Sequence, residues 1–257
     1  MQCKDQLQTV FEFLETPKRI VSLVPSQTEL LIDLGLRKQL VGITKFCTHP
    51  SFLKKEKTIV GGTKKVNLET IKALQPDIII GNKEENTKEI IMSCSKIAPV
   101  WVSDIYSISD TLEMIFVLGS IFQKETYASQ IIDTITSQLD TFKDFMDKRP
   151  SKKVAYLIWQ KPFMVAGRHT FINELLKVNK FENMVASPIS RYPEMAIEDL
   201  KKADLILLSS EPFPFSEKHV ETLENITKKQ VMLVDGTYFS WYGSRLQHAF
   251  RYFKTLH

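Results

Sequence analysis

The sequence contains few of the residues that form disulfide frameworks or metal sites. Its 257 residues include three cysteines, Cys3, Cys47 and Cys94, an odd number without the spacing of paired metal ligands. The five histidines lack HExxH spacing. Cys47 and His49 together offer two ligands in one loop, whereas zinc sites use three or four. We therefore expect buried or free thiols, no metal site and no resident cofactor.

Catalytic and nucleotide-binding motifs are also missing. There is no GxSxG, no P-loop and no GxGxxG, and the turn Gly61–Thr63 is too short to cradle a phosphate, so we predict that the protein is not an enzyme. No stretch approaches the ~18 continuous apolar residues of a membrane span. The net charge of +4 is mild and the lysines are dispersed, which argues against a nucleic-acid partner.

The longest uninterrupted helical pattern runs from Lys124 to Lys148. Its apolar residues recur in steps of three and four, so they fall on one stripe of a helix. They are Ala128, Ile131, Ile132, Ile135, Leu139, Phe142, Phe145 and Met146. No Gly or Pro interrupts the pattern before Pro150, and at ~1.5 Å per residue the helix would run roughly 38 Å. We interpret it as a strut between two lobes; a surface helix of one large domain is the alternative.

Short apolar strands alternate with helical patterns on both sides of this helix, which predicts parallel strand pairing. The predicted strands are 19–24, 40–43, 77–80, 100–102, 153–158, 204–208 and 230–234. The fold class that follows is α/β, with two Rossmann-like α/β lobes bridged by a single long α-helix. We place the lobes at residues 1–122 and 150–257 and the bridging helix at 123–149. Ser26 to Glu29 fits a capping box, and Gly35 fits a left-handed helix end.

The two halves contain a weak internal repeat. Residues 68–74 form a helical pattern with Glu69 near its start, followed by Asp77 and an apolar strand. Residues 197–202 repeat this order with Glu198 and then Asp204. Chance similarity between two helix–strand units is common. Combined with the long helix, the repeat favours two related lobes that each present a glutamate at the same place.

Several motifs resemble the helical-backbone substrate-binding proteins that serve ABC importers for cobalamin, haem and ferric siderophores, most closely the cobalamin-binding branch. They are the stretch from Arg19 to Leu31, Leu34-Gly35, Leu40 to Thr44, Val60 to Thr63, Asn67 to Ile71, Leu74 to Ile80, and Asp235-Gly236. The match extends roughly from Lys4 to Leu256. It implies two α/β lobes bridged by one long helix, with ligand held in the cleft between them.

The resemblance also implies functional residues. Glu69 and Glu198 stand where an acidic residue of each lobe docks an arginine of the transporter's membrane subunits. Without the resemblance they would be solvated helix residues or carboxylates favoured by the helix dipole. Phe46, Phe163 and Tyr192 fall near aromatic ligand-contact positions, whereas Thr63 and Asn82 stand where the cobalamin branch can carry tryptophan. The remaining candidates for ligand contact are Lys64, Trp159, Arg168, Tyr238 and Trp241; for the aromatic side chains, core packing is an equally good explanation.

The function implied is the substrate-binding component of an ABC importer, which binds a large planar metal chelate and delivers it to the permease. A corrinoid is the first choice, and a siderophore or haem comes next. We expect a monomer, periplasmic by resemblance, whose partners are the membrane subunits and a small-molecule ligand. Because Met1–Asp5 has no signal-peptide run, the alternative is a cytoplasmic sensor or enzyme built on the same two-lobed scaffold.

Overall fold

The computed structural model describes residues 2–185 and 190–257. The chain divides into two compact units. Unit 1 comprises residues 2–105, 109–136 and 242–247, and unit 2 comprises residues 106–108, 137–241 and 248–257, apart from the positions not described. In the described part of the chain, no helix combines the length and apolar character needed to cross a membrane.

Unit 1 contains a five-stranded, entirely parallel sheet with the strand order β5-β4-β3-β6-β7. A separate antiparallel hairpin, β1–β2, precedes it. The strands are β1 (Gln2–Lys4), β2 (Val10–Glu12), β3 (Ile20–Ser22), β4 (Leu40–Ile43), β5 (Thr58–Ile59), β6 (Ile78–Asn82) and β7 (Val100–Ser103). The helices are α1 (Pro25–Asp33), α2 (Leu53–Glu56), α3 (Leu68–Ala73), α4 (Lys88–Cys94), α5 (Ile108–Ile121) and the first part of α6 (Glu125–Met146). The alternation of strands and helices thus produces the parallel pairing that the sequence predicts.

Unit 2 contains a second five-stranded sheet with four parallel strands in the order β10-β8-β11-β12 and with β9 antiparallel to β8. The strands are β8 (Lys152–Trp159), β9 (Met164–Val165), β10 (Phe181–Asn183), β11 (Leu205–Ser209) and β12 (Gln230–Val234). The helices are α7 (Phe171–Val178), α8 (Ile197–Leu200), α9 (Glu217–Thr227), α10 (Thr237–Ser240) and α11 (Leu246–Lys254). The predicted α/β fold class with two lobes and one long helix is confirmed.

Helix α6 is continuous over Glu125–Met146, close to the predicted span, and the division between the units falls within it, after Thr136. In its first half Ala128 is buried against Gly119 of α5, where an added Cβ would lie 2.4 Å from the Ala128 Cβ. In its second half Phe142 packs on Phe250 and Phe253 of α11, at ring-centroid distances of 5.9 and 6.0 Å. The predicted apolar stripe is therefore the buried face. The predicted division into residues 1–122, 123–149 and 150–257, in which the helix is a segment separate from both lobes, stays a prediction.

The predicted capping box at Ser26 is wrong. The N-cap of helix α1 is Val24, so the helix begins at Pro25, two residues earlier than a box at Ser26 would place it, and no side chain caps it. Proline suits the first helical position because its fixed φ is already helical and its missing N–H would have no partner there. Glu29 instead forms an ion pair with Arg245. The prediction for Gly35 is correct, since its φ is +78° directly after the C-cap residue Leu34.

The internal repeat extends to hydrogen bonds. In unit 1 the Asp77 carboxylate accepts the backbone N–H groups of Lys18 and Arg19 at 2.7 and 2.9 Å, just before strand β3. In unit 2 the Asp204 carboxylate accepts the N–H of Lys153 at 2.8 Å, near the start of strand β8. Each aspartate also donates its own N–H to a carbonyl of the same segment, Asp77 to Arg19 and Asp204 to Lys153, both at 2.8 Å. The two helix–strand elements therefore have the same structural role in their units.

Candidate functional site

The carboxyl edge of the unit 1 sheet is polar, and this is the edge at which open parallel sheets bind ligands. Asn82, at the end of β6, forms several of the hydrogen bonds at this edge. The Asn82 amide donates to the carbonyl and hydroxyl oxygens of Ser103, at 3.1 and 2.9 Å, and its oxygen accepts the N–H groups of Glu84 and Glu85, at 2.8 and 3.0 Å. Asn82 is buried. Its hydrogen-bonding capacity is used within the fold, and its ligand-binding role stays a prediction.

Beside this edge lies a hollow of about 810 Å³, here called the lysine hollow. It is lined by Lys45, Phe46 and the run Gly61–Glu69. Phe46 is 49% exposed, and the Lys45 ammonium lies 5.1 Å from the centroid of its ring. A Cβ on Gly62 would lie 3.0 Å from Phe46 Cε2, so glycine leaves room for the ring. Three predicted ligand-contact residues, Phe46, Thr63 and Lys64, therefore share one hollow.

Glu69 also lines the lysine hollow, in the first turn of α3. Helix α3 starts at a residue suited to it, because the side chain of Asn67 accepts the N–H of Thr70 at 3.0 Å. Glu69 is exposed and forms no ion pair with any residue that the structure describes. An unpaired carboxylate here can accept a cation from outside the chain.

Unit 2 has a hollow at a similar helix. It measures about 700 Å³ and is lined by Gln160, Lys161, Pro162, Phe163, Glu194, Met195, Ala196, Ile197 and Asp199. Glu198 lies in the first turn of α8, the helix that provides part of this lining. It is exposed, and Lys201 one turn later donates to its carboxylate at 3.0 and 3.1 Å. Since an exposed pair of this kind contributes little, about 0–1 kcal/mol, Glu198 can exchange this lysine for another cation.

A hydrogen-bonded chain follows the carboxyl edge of the unit 2 sheet. The buried Tyr156 hydroxyl donates to Ser209 Oγ at 3.1 Å, and burial raises the pKa of this phenol well above its usual value. Glu211 lies two residues after the end of β11, and its Oε1 accepts the Ser240 hydroxyl at 2.6 Å and the Trp241 Nε1–H at 2.9 Å. Trp241 itself is buried. The polar atoms at this edge are thus held in fixed positions.

The other predicted residues of unit 2 lie in different surroundings. Trp159 is 41% exposed, and its ring meets Phe213 edge-on with 5.5 Å between centroids. Tyr238 is half-buried and stacks on Tyr252 at 4.6 Å. Exposed Arg168 donates from Nε to the Val185 carbonyl at 2.8 Å. Tyr192 is half-buried, and Phe163 lines the unit 2 hollow. The ligand roles of these residues stay predictions.

The weak metal candidate at Cys47 has a structural role. Cys47 is buried, and its thiol donates to the Thr28 hydroxyl at 3.2 Å. Burial raises the pKa of the thiol, which disfavours the thiolate that would bind a metal. Within residues 2–185 and 190–257, no group of three or more His, Cys, Asp or Glu side chains could hold a metal ion.

Three residues that the structure places at these surfaces were missed by sequence reasoning. Lys45 and Lys65 line the lysine hollow, and Glu211 holds Trp241. Lys45 and Glu211 each follow a predicted strand closely, so position after a parallel strand is a signal that could have identified them. The sequence contains no such signal for Lys65, because Lys65 reaches the hollow through the turn that the antiparallel bridge between Gly61 and Val66 closes.

Known proteins resemble this chain along most of its length. A sequence profile described as periplasmic binding protein matches residues 20–233. The uncharacterized ABC transporter substrate-binding lipoprotein YvrC of Bacillus subtilis (strain 168) is 29% identical over 178 residues, which are 66% of this chain and 56% of that protein. The vitamin B12-binding protein of Yersinia pestis (strain Pestoides F) is 24% identical over 198 residues, 76% of this chain and 70% of that protein.

The fold is similar to that of solved structures as well. The crystal structure of the periplasmic vitamin B12 binding protein of Vibrio cholerae superimposes with a TM-score of 0.80 at 18% identity, covering 93% of this chain and 98% of that one. At this identity the likeness shows the fold alone. The chain spans little more than half the length of the Bacillus lipoprotein.

Proposed function

Because the chain belongs to the periplasmic binding protein family, we propose that it is the substrate-binding component of an ABC importer. The observation that carries the proposal is the family match over residues 20–233, together with relatives named for substrate binding and for vitamin B12 binding. We place the protein outside the cytoplasmic membrane, free in a periplasm or held by a lipid anchor. Its role is to bind a small molecule and hand it to the membrane subunits.

The proposed ligand is a large planar metal chelate, with a corrinoid first and a ferric siderophore or haem next. Such a ligand needs aromatic surface for stacking and a few fixed polar groups for orientation. Unit 1 offers the exposed Phe46 ring with Thr63 and Lys64 beside it. Unit 2 offers the exposed indole of Trp159, the half-buried Tyr192 and Tyr238, and the guanidinium of Arg168.

Titration of the protein with cyanocobalamin, cobinamide, haem and a ferric siderophore tests this ligand class, with tryptophan fluorescence as the signal. Trp159 is 41% exposed, whereas Trp101 and Trp241 are buried. We therefore expect most of the quenching to disappear in Trp159→Phe, and calorimetry should still detect binding by that variant. If none of the four ligands binds more tightly than about millimolar, roughly 4 kcal/mol, the proposal fails.

For docking, we propose that Glu69 and Glu198 each receive an arginine of the membrane subunits. Both are exposed and lie in the first turns of equivalent short helices. Glu69→Gln and Glu198→Gln keep the shape of the side chain and remove its charge. Each should weaken binding to the reconstituted importer, and the double variant should weaken it further, while ligand affinity remains unchanged.

Glu217→Gln is the matched control, because Glu217 is also an exposed acidic residue in the first turn of a helix in unit 2. Unaltered importer binding by the Glu69/Glu198 double variant would exclude the docking role.

A further inference from the structure

We propose that the lysine hollow binds an anionic group of the ligand, so that the protein prefers planar chelates with acidic substituents over equivalent chelates that carry only amides. This inference rests on the proposed function and narrows its ligand class. Lys45, Lys64 and Lys65 all line the hollow, against one carboxylate, that of Glu69. The lining therefore has a net charge of +2, from three lysines and one glutamate.

The three ammonium groups are available to a ligand. In the part of the chain that the structure describes, none of them forms an ion pair. Some exposed lysines differ in this respect; the ammonium of Lys83, for example, lies 2.6 Å from the Asp104 carboxylate. Lys64 donates to the backbone carbonyl of Glu84, which fixes the position of its ammonium without neutralising it. A ligand anion would thus meet positive charge that the fold does not neutralise.

The aromatic wall of the hollow suits the same ligand. The Lys45 ammonium lies 5.1 Å from the centroid of the Phe46 ring, within cation–π range. The Phe46 ring is 49% exposed, so half of its surface remains free for contact. A flat, conjugated ligand can therefore pack on Phe46 while an acidic substituent at its rim reaches the lysines. A flat ligand with a neutral rim could pack on Phe46 in the same way, but it would form no ion pairs with the lysines.

The loop that carries two of the lysines is held in place before any ligand arrives. Gly62 donates its N–H to the Lys65 carbonyl at 2.7 Å, and Gly61 forms an antiparallel bridge with Val66. The carbonyl of buried Thr63 accepts the side-chain amide of Asn86 at 3.0 Å. Such preorganisation reduces the entropy cost of ordering the site when a ligand binds.

The hollow in unit 2 provides an internal comparison. Its lining includes the acids Glu194 and Asp199 and one lysine, Lys161, which gives a net charge of −1. The two hollows, each beside a short helix with a glutamate in its first turn, therefore differ in the sign of their charge, and only the lysine hollow of unit 1 is positive. The preference for an anion is assigned to this surface alone.

Two matched pairs of ligands test the inference. Dicyanocobyrinic acid and dicyanocobinamide share a corrin ring but carry carboxylates and amides, respectively. A ferric tris-catecholate is anionic and a ferric tris-hydroxamate is neutral; both are octahedral rather than planar, and their charge difference lies on the metal-binding oxygens. This second pair distinguishes a siderophore source of the anion from a corrinoid one. Calorimetric titrations at low salt should show the anionic member of at least one pair binding about tenfold more tightly, as several exposed ion pairs would provide. The preference should shrink as salt is added.

The triple variant Lys45→Gln/Lys64→Gln/Lys65→Gln should lose this preference, so that the ratio of its affinities for the two members of a pair falls to about one. Lys54→Gln/Lys55→Gln, on exposed α2 of the same unit, is the matched control and should keep it. Equal affinities for the members of both pairs, or a preference that survives in the triple variant, would overturn the inference while leaving the proposed function intact. If no member of either pair binds, the inference fails, and the ligand class fails with it only if haem does not bind either.

Discussion

Removing one partner of the ion pair between Glu29 and Arg245 should strongly destabilise unit 1. The two side chains are only 17% and 10% exposed. Arg245 donates from Nε to Glu29 Oε2 at 2.9 Å and from Nη2 to Oε1 at 2.7 Å, which is a bidentate contact. The pair joins α1 to the short segment Tyr242–Gln247, which unit 2 residues flank on both sides in the sequence. We expect it to hold that segment in unit 1.

Removing one partner of a buried pair leaves the other charge without compensation, at a cost of about 3–5 kcal/mol. The residual exposure of these side chains reduces the expected cost for Glu29→Met to about 2–4 kcal/mol. The double variant Glu29→Met/Arg245→Met removes both charges and should recover much of the loss, because apolar replacements of a buried pair are often neutral. Urea unfolding at neutral pH, followed by circular dichroism, would give the free-energy differences for Glu29→Met, Arg245→Met and the double variant.

The decisive quantity is the coupling energy of this double-mutant cycle, expected to be at least about 1 kcal/mol. Asp140→Asn, which breaks the exposed pair with Lys143, is the control and should change stability by less than about 0.5 kcal/mol. If the double variant costs as much as the two single variants added together, the assignment of this pair as a buried, interdependent contact is refuted.

Three further predictions concern stability. Asp77→Ala should lower the unfolding free energy by about 1–2 kcal/mol, and by more than Asp204→Ala does, because Asp77 accepts two backbone N–H groups and Asp204 one. Equal losses for the two variants in urea unfolding would contradict this account of the repeat. Phe142→Ala should cost about 3–5 kcal/mol by leaving a cavity beside Phe250, and a loss below about 1 kcal/mol would show that the second half of α6 is loosely packed. Burial, with the charges of nearby basic residues, lowers the pKa of His257 to about 4. The folded state therefore favours the neutral imidazole, so the unfolding free energy should fall as the pH drops from about 6.5 to about 4; an unchanged pH profile in His257→Gln would rule this group out as the cause.

Some elements of the fold are less evident in the sequence because their local patterns are weak. Helix α9 carries Glu, Lys and His on its exposed face and buries only Val220, Leu223 and Thr227, so its apolar stripe is short. The strands of the β1–β2 hairpin are three residues each, too short for a clear alternation. The helical pattern of the sequence extends over residues 84–97, whereas helix α4 covers only Lys88–Cys94, because Thr87 caps it and the chain before Thr87 forms a turn.

By itself, the sequence determined the longer strands, their alternation with helices, the parallel pairing and the long helix, because each depends on a period of side chains repeated over neighbouring residues. It also placed Glu69 and Glu198 at equivalent positions. Only the tertiary structure decided which polar groups are already used and which remain available. The partner of Glu29 lies 216 residues away. Lys45 and Lys64 lie together because strands β4 and β5 pair in parallel, which brings the loops after the two strands side by side. Contacts between distant segments follow from packing, and no local pattern encodes them.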